Sequence, residues 1–380
     1  MITADRLTRR AFTQLSLGAL MTSKSSAQSG PSARSGPEVS DGLADAWRPL
    51  ATAIDSGQIS AATMVVRQGT DSYGWAAGDA ASQDAVFLIA SISKPMSIAA
   101  LMVLFDRGEF RLDDPVAKFL PEFSSDGRES VRMIHLLTHT SGLPDQLTNN
   151  ASLRKSHAPL PDFVAGALRA ELAFAPGSRY SYSSMGTLLA AEVAQRISGV
   201  PFRRWIAEQV FKPLKMSRSS LGLGGRAIAD TMACQTEQSA EEAGAGDPDA
   251  SSWDWNSDYW RDFGAPWGGV HASAVDVATF FAAFLNPDGS LFSRETADLM
   301  IRNHNPPGMT PRGLGFGVGR SAASRHNSQA AFGHTGATGT LAWADPTSDT
   351  VCVVLTTLPG GAVSPHPRKA ASDRVAQVTG

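Results

Sequence analysis

Ala85-Val86-Phe87-Leu88-Ile89-Ala90-Ser91-Ile92-Ser93-Lys94-Pro95-Met96 carries an apolar run of strand length straight into a serine. Within one turn a long apolar-periodic segment begins, from Pro95 to Asp106. The pattern predicts a strand that ends near Ser91 and a helix that opens there. Residues three apart on a helix share a face, with Cβ atoms about 5–6 Å apart, so the Lys94 amine is expected to reach the Ser91 hydroxyl. A serine hydroxyl is a poor nucleophile at neutral pH and needs a neighbour to take its proton. A lysine fills that role when burial or nearby positive charge keeps part of it neutral. The helix N-terminus adds free N–H groups and partial positive charge, which suit an oxyanion at Ser91. The same spacing marks many solvated helix ends, so its meaning depends on partners elsewhere in the chain.

Outward from this stretch the periodicity changes twice. On the N-terminal side, Asp41 to Ser56 has apolar residues at helical spacing and stops at Gly57, and Ile59 to Gln68 and Ser72 to Ala77 read as strands around a turn. On the C-terminal side the signals are mainly helical to about Trp260, with helices expected over 131–138, 160–172, 185–197 and 201–210. Beyond Trp267-Gly268-Gly269, helices over 274–285 and 294–302 give way to strand-like pieces at 315–319, 331–333, 340–344 and 351–357, with a last helix over 364–378. Strands at both ends with helices between them imply an α/β (α+β) fold. Its sheet is built from both termini, and a helical region is inserted over about 95–260.

At 380 residues the chain exceeds the usual single-domain range, and 42% hydrophobic residues support a sizeable core. A net charge of −3 and a pI near 6.2, with no basic stripe, argue against nucleic acid or an anionic membrane as partner. Cys234 and Cys352 lie far apart without metal-type spacing, as buried small hydrophobes would. Thr8-Arg9-Arg10-Ala11-Phe12, the short apolar run Leu15 to Met21 and Ser25-Ser26-Ala27 form the three parts of a twin-arginine export signal over residues 1–27. That run is too short for a permanent membrane anchor, so the expected location is periplasmic or secreted, in a bacterium. Residues 28–40 read as a Ser/Gly/Pro linker, 41–360 as the main folded domain and 361–380 as a C-terminal helix or tail. The stretch Gln235 to Ala250, with five acids and no basic residue, reads as a mobile, solvated surface loop.

Two further stretches carry chemistry. Pro176-Gly177-Ser178-Arg179-Tyr180-Ser181-Tyr182-Ser183-Ser184 is a turn into a helix, where Tyr182 could relay a proton between Ser91 and a leaving group. Gly333-His334-Thr335-Gly336-Ala337 ends a short strand whose glycines let substrate approach the backbone and whose N–H groups can face a developing negative oxygen. Trp253, Trp255, Trp260 and Trp267 put half of the eight tryptophans in fifteen residues, either as an aromatic wall near the site or as packing that pins a loop. His135 and His139 have a zinc-compatible spacing, but no third ligand accompanies them and a structural role is expected. Neither G-x-S-x-G nor H-E-x-x-H occurs.

Ser91-Ile92-Ser93-Lys94, Tyr182-Ser183-Ser184 and His334-Thr335-Gly336, in this order, resemble the signature of the serine β-lactamase and penicillin-binding-protein superfamily, in its class C-like and esterase branch. Leu136-Leu137-Thr138-His139-Thr140-Ser141-Gly142-Leu143, Trp267-Gly268-Gly269, Gly315-Phe316-Gly317 and Asp345-Pro346 look like the same family, and the resemblance spans roughly 41–360. It implies Ser91 as acyl-accepting nucleophile, Lys94 as its base partner and Tyr182 as proton relay. The backbone N–H groups of Ser91 and Ala337 would form the oxyanion hole. Ser184, His334, Thr335, Gly336 and Trp267 would contact substrate. The implied fold is an antiparallel sheet with helices on both faces beside a helical subdomain, and no metal or organic cofactor is implied.

Two departures bear on substrate. The family's second motif usually ends in Asn, whose amide holds a substrate amide, where this chain has Ser184; the third often begins with Lys, where this chain has His334. Both changes weaken recognition of an anionic β-lactam or peptide end and shift the expectation toward neutral carboxylic esters. A β-lactamase or D-amino-acid peptidase is the nearest alternative. A non-catalytic β-lactam- or muropeptide-binding protein is the alternative of another class, and it would have no physical need of Ser91, Lys94 and Tyr182 together.

Overall fold

Apolar residues that alternate along strands near opposite ends of the chain pair with one another. The computed structural model describes residues 37–380 apart from 321 and 323, so the expected export segment lies outside the described residues. Helix α1 (Pro37–Asp55) begins inside the expected linker and leads to the hairpin β1 (Ala61–Gln68) and β2 (Asp71–Gly78). The two-residue strand β3 (Phe87–Leu88) precedes α2 (Ser93–Asp106). Then come α3 (Met133–Leu137), α4 (Asn150–Lys155), α5 (Leu160–Arg169), α6 (Ser184–Ser198), α7 (Phe202–Ile206), the short β4 (Ser220–Leu221) and α8 (Asp258–Phe263). The chain continues through β5 (Val270–Ala272), α9 (Ala274–Leu285), α10 (Arg294–Ile301), β6 (Gly317–Val318), β7 (Phe332–Gly336), β8 (Thr340–Asp345), β9 (Thr350–Thr356) and α11 (Pro367–Thr379).

The main sheet has six strands in the order β2-β1-β9-β8-β7-β6, every neighbour antiparallel. Successive side chains of a strand point to opposite faces, and the register Val65↔Val353↔Ala342 puts one apolar set toward the helical body. Met64, Val66, Trp343, Cys352 and Val354 face the other way and close a second core under α1 and α11 with Leu43, Leu50 and Val375. Trp343 finds its polar partner there, donating to the Ser372 hydroxyl at 2.9 Å. The sheet is thus covered on both faces.

Helix α2 is apolar all round and buried along nearly its whole length, so it runs through the centre of the molecule rather than along its surface. Its two buried serines are satisfied: Ser97 donates to the Pro266 carbonyl at 2.6 Å, and Ser93 Oγ accepts the Val270 N–H at 3.0 Å. The expected strand over 85–90 shrinks to two residues, paired with β5 of a small sheet ordered β3-β5-β4. The cause is local: Ala90 takes φ 45°, turning the chain into a 3-10 turn over Ala90–Ile92 instead of extending it. The expected helical insertion holds α2 to α8 and also β4.

Candidate functional site

Ser91 stands in the 3-10 turn that opens onto α2, partly exposed, while Lys94, three residues on, is 1% exposed. Lys94 Nζ lies 3.1 Å from Ser91 Oγ and donates to the Trp267 carbonyl at 3.0 Å. It also sits 4.7 Å from the centre of the Tyr182 ring. The amine therefore lies between the serine of one segment and the aromatic ring of another.

The hairpin β7–β8 is drawn against this turn by hydroxyls. Thr338 donates to the Leu88 carbonyl at 2.6 Å and Thr340 to the Ile89 carbonyl at 2.9 Å, stapling the stretch before the serine to the strand end. Gly336 permits the approach, because a Cβ there would stand 2.4 Å from the Ile89 carbonyl oxygen. Arg368, near the start of α11, donates to the carbonyls of Gly336 and Thr340 at 2.6 and 2.7 Å and so holds the hairpin. Ser91, Tyr182, His334, Thr335, Gly336 and Ala337 all border one cleft of about 650 Å³.

Below Tyr182 lies a buried basic layer. His139, fully buried with φ 60°, accepts the Ser183 N–H at 3.1 Å on Nδ1, and its Nε2 lies 2.9 Å from Nη2 of Arg312. An imidazolium would set N–H against N–H on both sides. Burial, then Arg312 and Lys94, holds the His139 pKa well below the ordinary value. His334 Nδ1 lies 2.8 Å from the Thr335 carbonyl, and burial first, Arg312 second, pushes its pKa far down as well, so it is neutral at pH 7. Arg312 is itself lowered by burial.

Two of the expected substrate contacts are not among the residues that line the cleft. Ser184 turns away from the cleft: its N–H and hydroxyl both donate to Asp145 Oδ1, at 2.8 and 2.6 Å, and it is buried as the first residue of α6. The Trp267 ring is buried among Phe163, Trp260 and Phe263 and meets the site only through its carbonyl on Lys94. Of the four clustered tryptophans, Trp255 borders the cleft and the others pack. The acidic stretch after Cys234 is anchored at its first residue. Gln235 bonds Ser60, Gln58 and Thr357, and Gln238, Ser239 and Ala240 line the cleft. His135 Nδ1 caps α3 by accepting the Arg132 N–H at 3.1 Å.

Sequence reasoning passed over Arg312, Arg368, Asp145, Thr338 and Thr340. Arg312 had one available signal, its place directly before Gly313-Leu314-Gly315-Phe316-Gly317. The others had none, since each acts by a contact distant in sequence.

A buried lysine beside a helix-opening serine, a tyrosine ring from a second segment and the end of an antiparallel strand thus meet at one cleft. The chain belongs to the beta-lactamase family, whose model matches residues 43–377. It is 34% identical to Esterase EstB of Burkholderia gladioli over 42% of this chain and 46% of that one. To the D-alanyl-D-alanine-carboxypeptidase/endopeptidase AmpH of Escherichia coli K12 it is 32% identical over 35% of this chain and 36% of that one, so the matches span less than half of either relative. Among solved structures, EstCE1, a hydrolase with promiscuous acyltransferase activity, superposes with a TM-score of 0.72 at 19% identity, covering 89% of this chain and 98% of that one. A penicillin-binding protein homologue from Caulobacter crescentus gives 0.73 at 20% identity over 89% and 98%. These last two share the fold.

Proposed function

We propose that the protein is a serine hydrolase that forms an acyl-enzyme at Ser91, acting on carboxylic esters. The observation that carries this reading is the 3.1 Å contact between a buried Lys94 and Ser91, made inside a cleft that Tyr182 and the end of β7 also border. Ser91 Oγ attacks the ester carbonyl as its proton passes to the Lys94 and Tyr182 pair. The carbonyl oxygen becomes an oxyanion held by the N–H groups of Ser91 and Ala337; losing one such donor typically costs about 3–4 kcal/mol. The pair returns the proton to the leaving alcohol, and water then releases the acid by the same route reversed. The similarity to EstB supports the choice of esters. The segment 1–27 would direct export, and among the described residues no helix is long and apolar enough to cross a membrane.

The test is hydrolysis of a chromogenic short-chain acyl ester by the wild type and by Ser91→Ala, with mass spectrometry after fluorophosphonate treatment. Turnover lost in the variant and an adduct on Ser91 are expected. A protein inert to esters but active on a cephalosporin would move the reading to a β-lactamase, and no adduct would favour a binding protein. For export, Arg9→Lys with Arg10→Lys should retain the precursor in the cytoplasm, whereas unchanged delivery would overturn the signal.

A further inference from the structure

The peptide that joins Gly336 to Ala337 has a partner on one side only. A trans peptide is planar, with C=O and N–H pointing in opposite directions, so whatever holds the carbonyl also aims the amide. The carbonyl is taken: Arg368 Nη1 donates to the Gly336 oxygen at 2.6 Å, and the Gly339 N–H reaches the same oxygen at 3.1 Å. Ala337 is exposed on the lining of the cleft, and its N–H has no hydrogen-bond partner among the described residues. That N–H is one of the two assigned above to the oxyanion.

Arg368 is built to hold that carbonyl. It stands in the first turn of α11, half-buried, and one nitrogen bridges the Gly336 and Thr340 carbonyls at the end of the hairpin. No ion pair of the described residues includes it, so its charge is spent on these two oxygens. Burial lowers its pKa to about 10, which leaves it cationic at neutral pH. The backbone packs closely around it: a Cβ on Gly360 would stand 2.2 Å from Nη2, and the Gly360 N–H donates to the Ala337 carbonyl at 2.8 Å. The peptides on both sides of Ala337 are therefore fixed. A hydrogen bond from an ion is shorter and roughly twice as strong as a neutral one. A cation on an amide oxygen also draws electrons from the nitrogen, and bonds chained in this way strengthen one another by about 10–30%.

We propose that Arg368 is a positioning residue for the oxyanion hole: its charged grip on the Gly336 carbonyl aims and polarises the Ala337 N–H toward the oxygen that becomes negative when Ser91 Oγ adds to the ester. This rests on the acyl-enzyme reading at Ser91 and deepens it. Arg368 acts through the peptide and not on the substrate. Because it also borders the cleft, direct contact with substrate is the rival role. The two separate in kinetics, since a contact made with the bound ester raises KM, whereas donor strength at the oxyanion sets kcat. The hole serves acylation and deacylation alike, so kcat falls whichever step is slower.

The experiment measures kcat and KM for 4-nitrophenyl butyrate in the wild type, Arg368→Met, Arg368→Gln and Arg368→Lys, together with the Kd of phenylboronic acid, which adds to Ser91 as a tetrahedral anion. Arg368→Met should lower kcat by about 10- to 100-fold, less than the 10²- to 10³-fold typical of deleting a donor outright, with KM within about threefold. Its boronate Kd should rise by a factor of the same order. Arg368→Gln keeps a neutral donor and loses the charge, so it should fall with Arg368→Met, and it carries the same comparison should Arg368→Met fail to fold. Arg368→Lys keeps the charge and should recover part of both quantities. Unchanged kcat and boronate affinity, a rise confined to KM, or equal losses in Arg368→Gln and Arg368→Lys would each overturn the proposal while Ser91 still takes a fluorophosphonate adduct. A wild type with neither ester turnover nor that adduct would instead sink the hydrolase reading, and the proposal with it.

Discussion

Lys94 divides its contacts between the Ser91 hydroxyl and the Trp267 carbonyl while lying against the Tyr182 ring, so three segments meet at one nitrogen. Groups that act as a unit do not lose activity additively. Lys94→Met and Tyr182→Phe should each lower kcat/KM for a neutral ester by about 10²- to 10⁴-fold. The double variant should be little worse than the poorer single, and losses that multiply in stopped-assay kinetics would show two independent roles. Ser184 makes the opposite prediction. Because its hydroxyl is spent on Asp145, Ser184→Ala should leave KM within about threefold and lower stability by about 1–2 kcal/mol in urea unfolding. A large rise in KM with unchanged stability would return Ser184 to the substrate.

At the scale of elements, the site depends on a hairpin lying against a turn. Gly336→Ala would drive a methyl group into the Ile89 carbonyl and the Thr340 hydroxyl, forcing β7 away from Ser91. A misplacement of about 1 Å near a reacting centre can cost about 10²-fold, and kcat/KM should fall by that order while circular dichroism stays that of the wild type. Retained activity would show that the strand end does not set the geometry. Much of this architecture was legible: α6, α9 and the strands β1, β8 and β9 follow directly from 3.6- and 2-residue periods, and the serine and lysine from spacing on a helix. What resisted reading was set by contacts far away in sequence. The apolar run before Ser91 looks like a longer strand because its burial under the hairpin, with Ala90 at φ 45°, leaves no periodic trace. Trp267 reads as either wall or packing because a tryptophan's aromatic face is visible in sequence and the use of its carbonyl is not. Arg312 carries no period at all, and its place against the His139 ring exists only once the chain has folded.

The whole molecule buries several of its histidines uncharged, and this makes its stability depend on pH. His271, in β5 between β3 and β4, has its pKa pushed down to about 3, first by burial and then by Arg261 and Arg226. His366 is lowered to about 4 by burial and by Arg368, and burial, then Arg312, holds His139 and His334 well below the ordinary value in the layer under the cleft. An unfolded histidine titrates near pH 6.5. Below that pH the unfolded chain takes up protons that the folded one refuses, so stability falls as pH drops. The neutral imidazoles contribute fully above about pH 6.5. For His271 the loss continues until the pH nears 3, at about 1.4 kcal/mol per pH unit for each such group. Urea midpoints should therefore be flat from pH 8 to 7 and decline steeply from 6 to 4, through the uptake of more than one proton. His271→Phe keeps a ring of similar size between the same strands and removes one titrating group, so its slope over pH 6 to 4 should be smaller by about one proton. An unchanged slope in that variant would mean that another group governs acid unfolding and that the His271 imidazole is accessible to protons in the folded state.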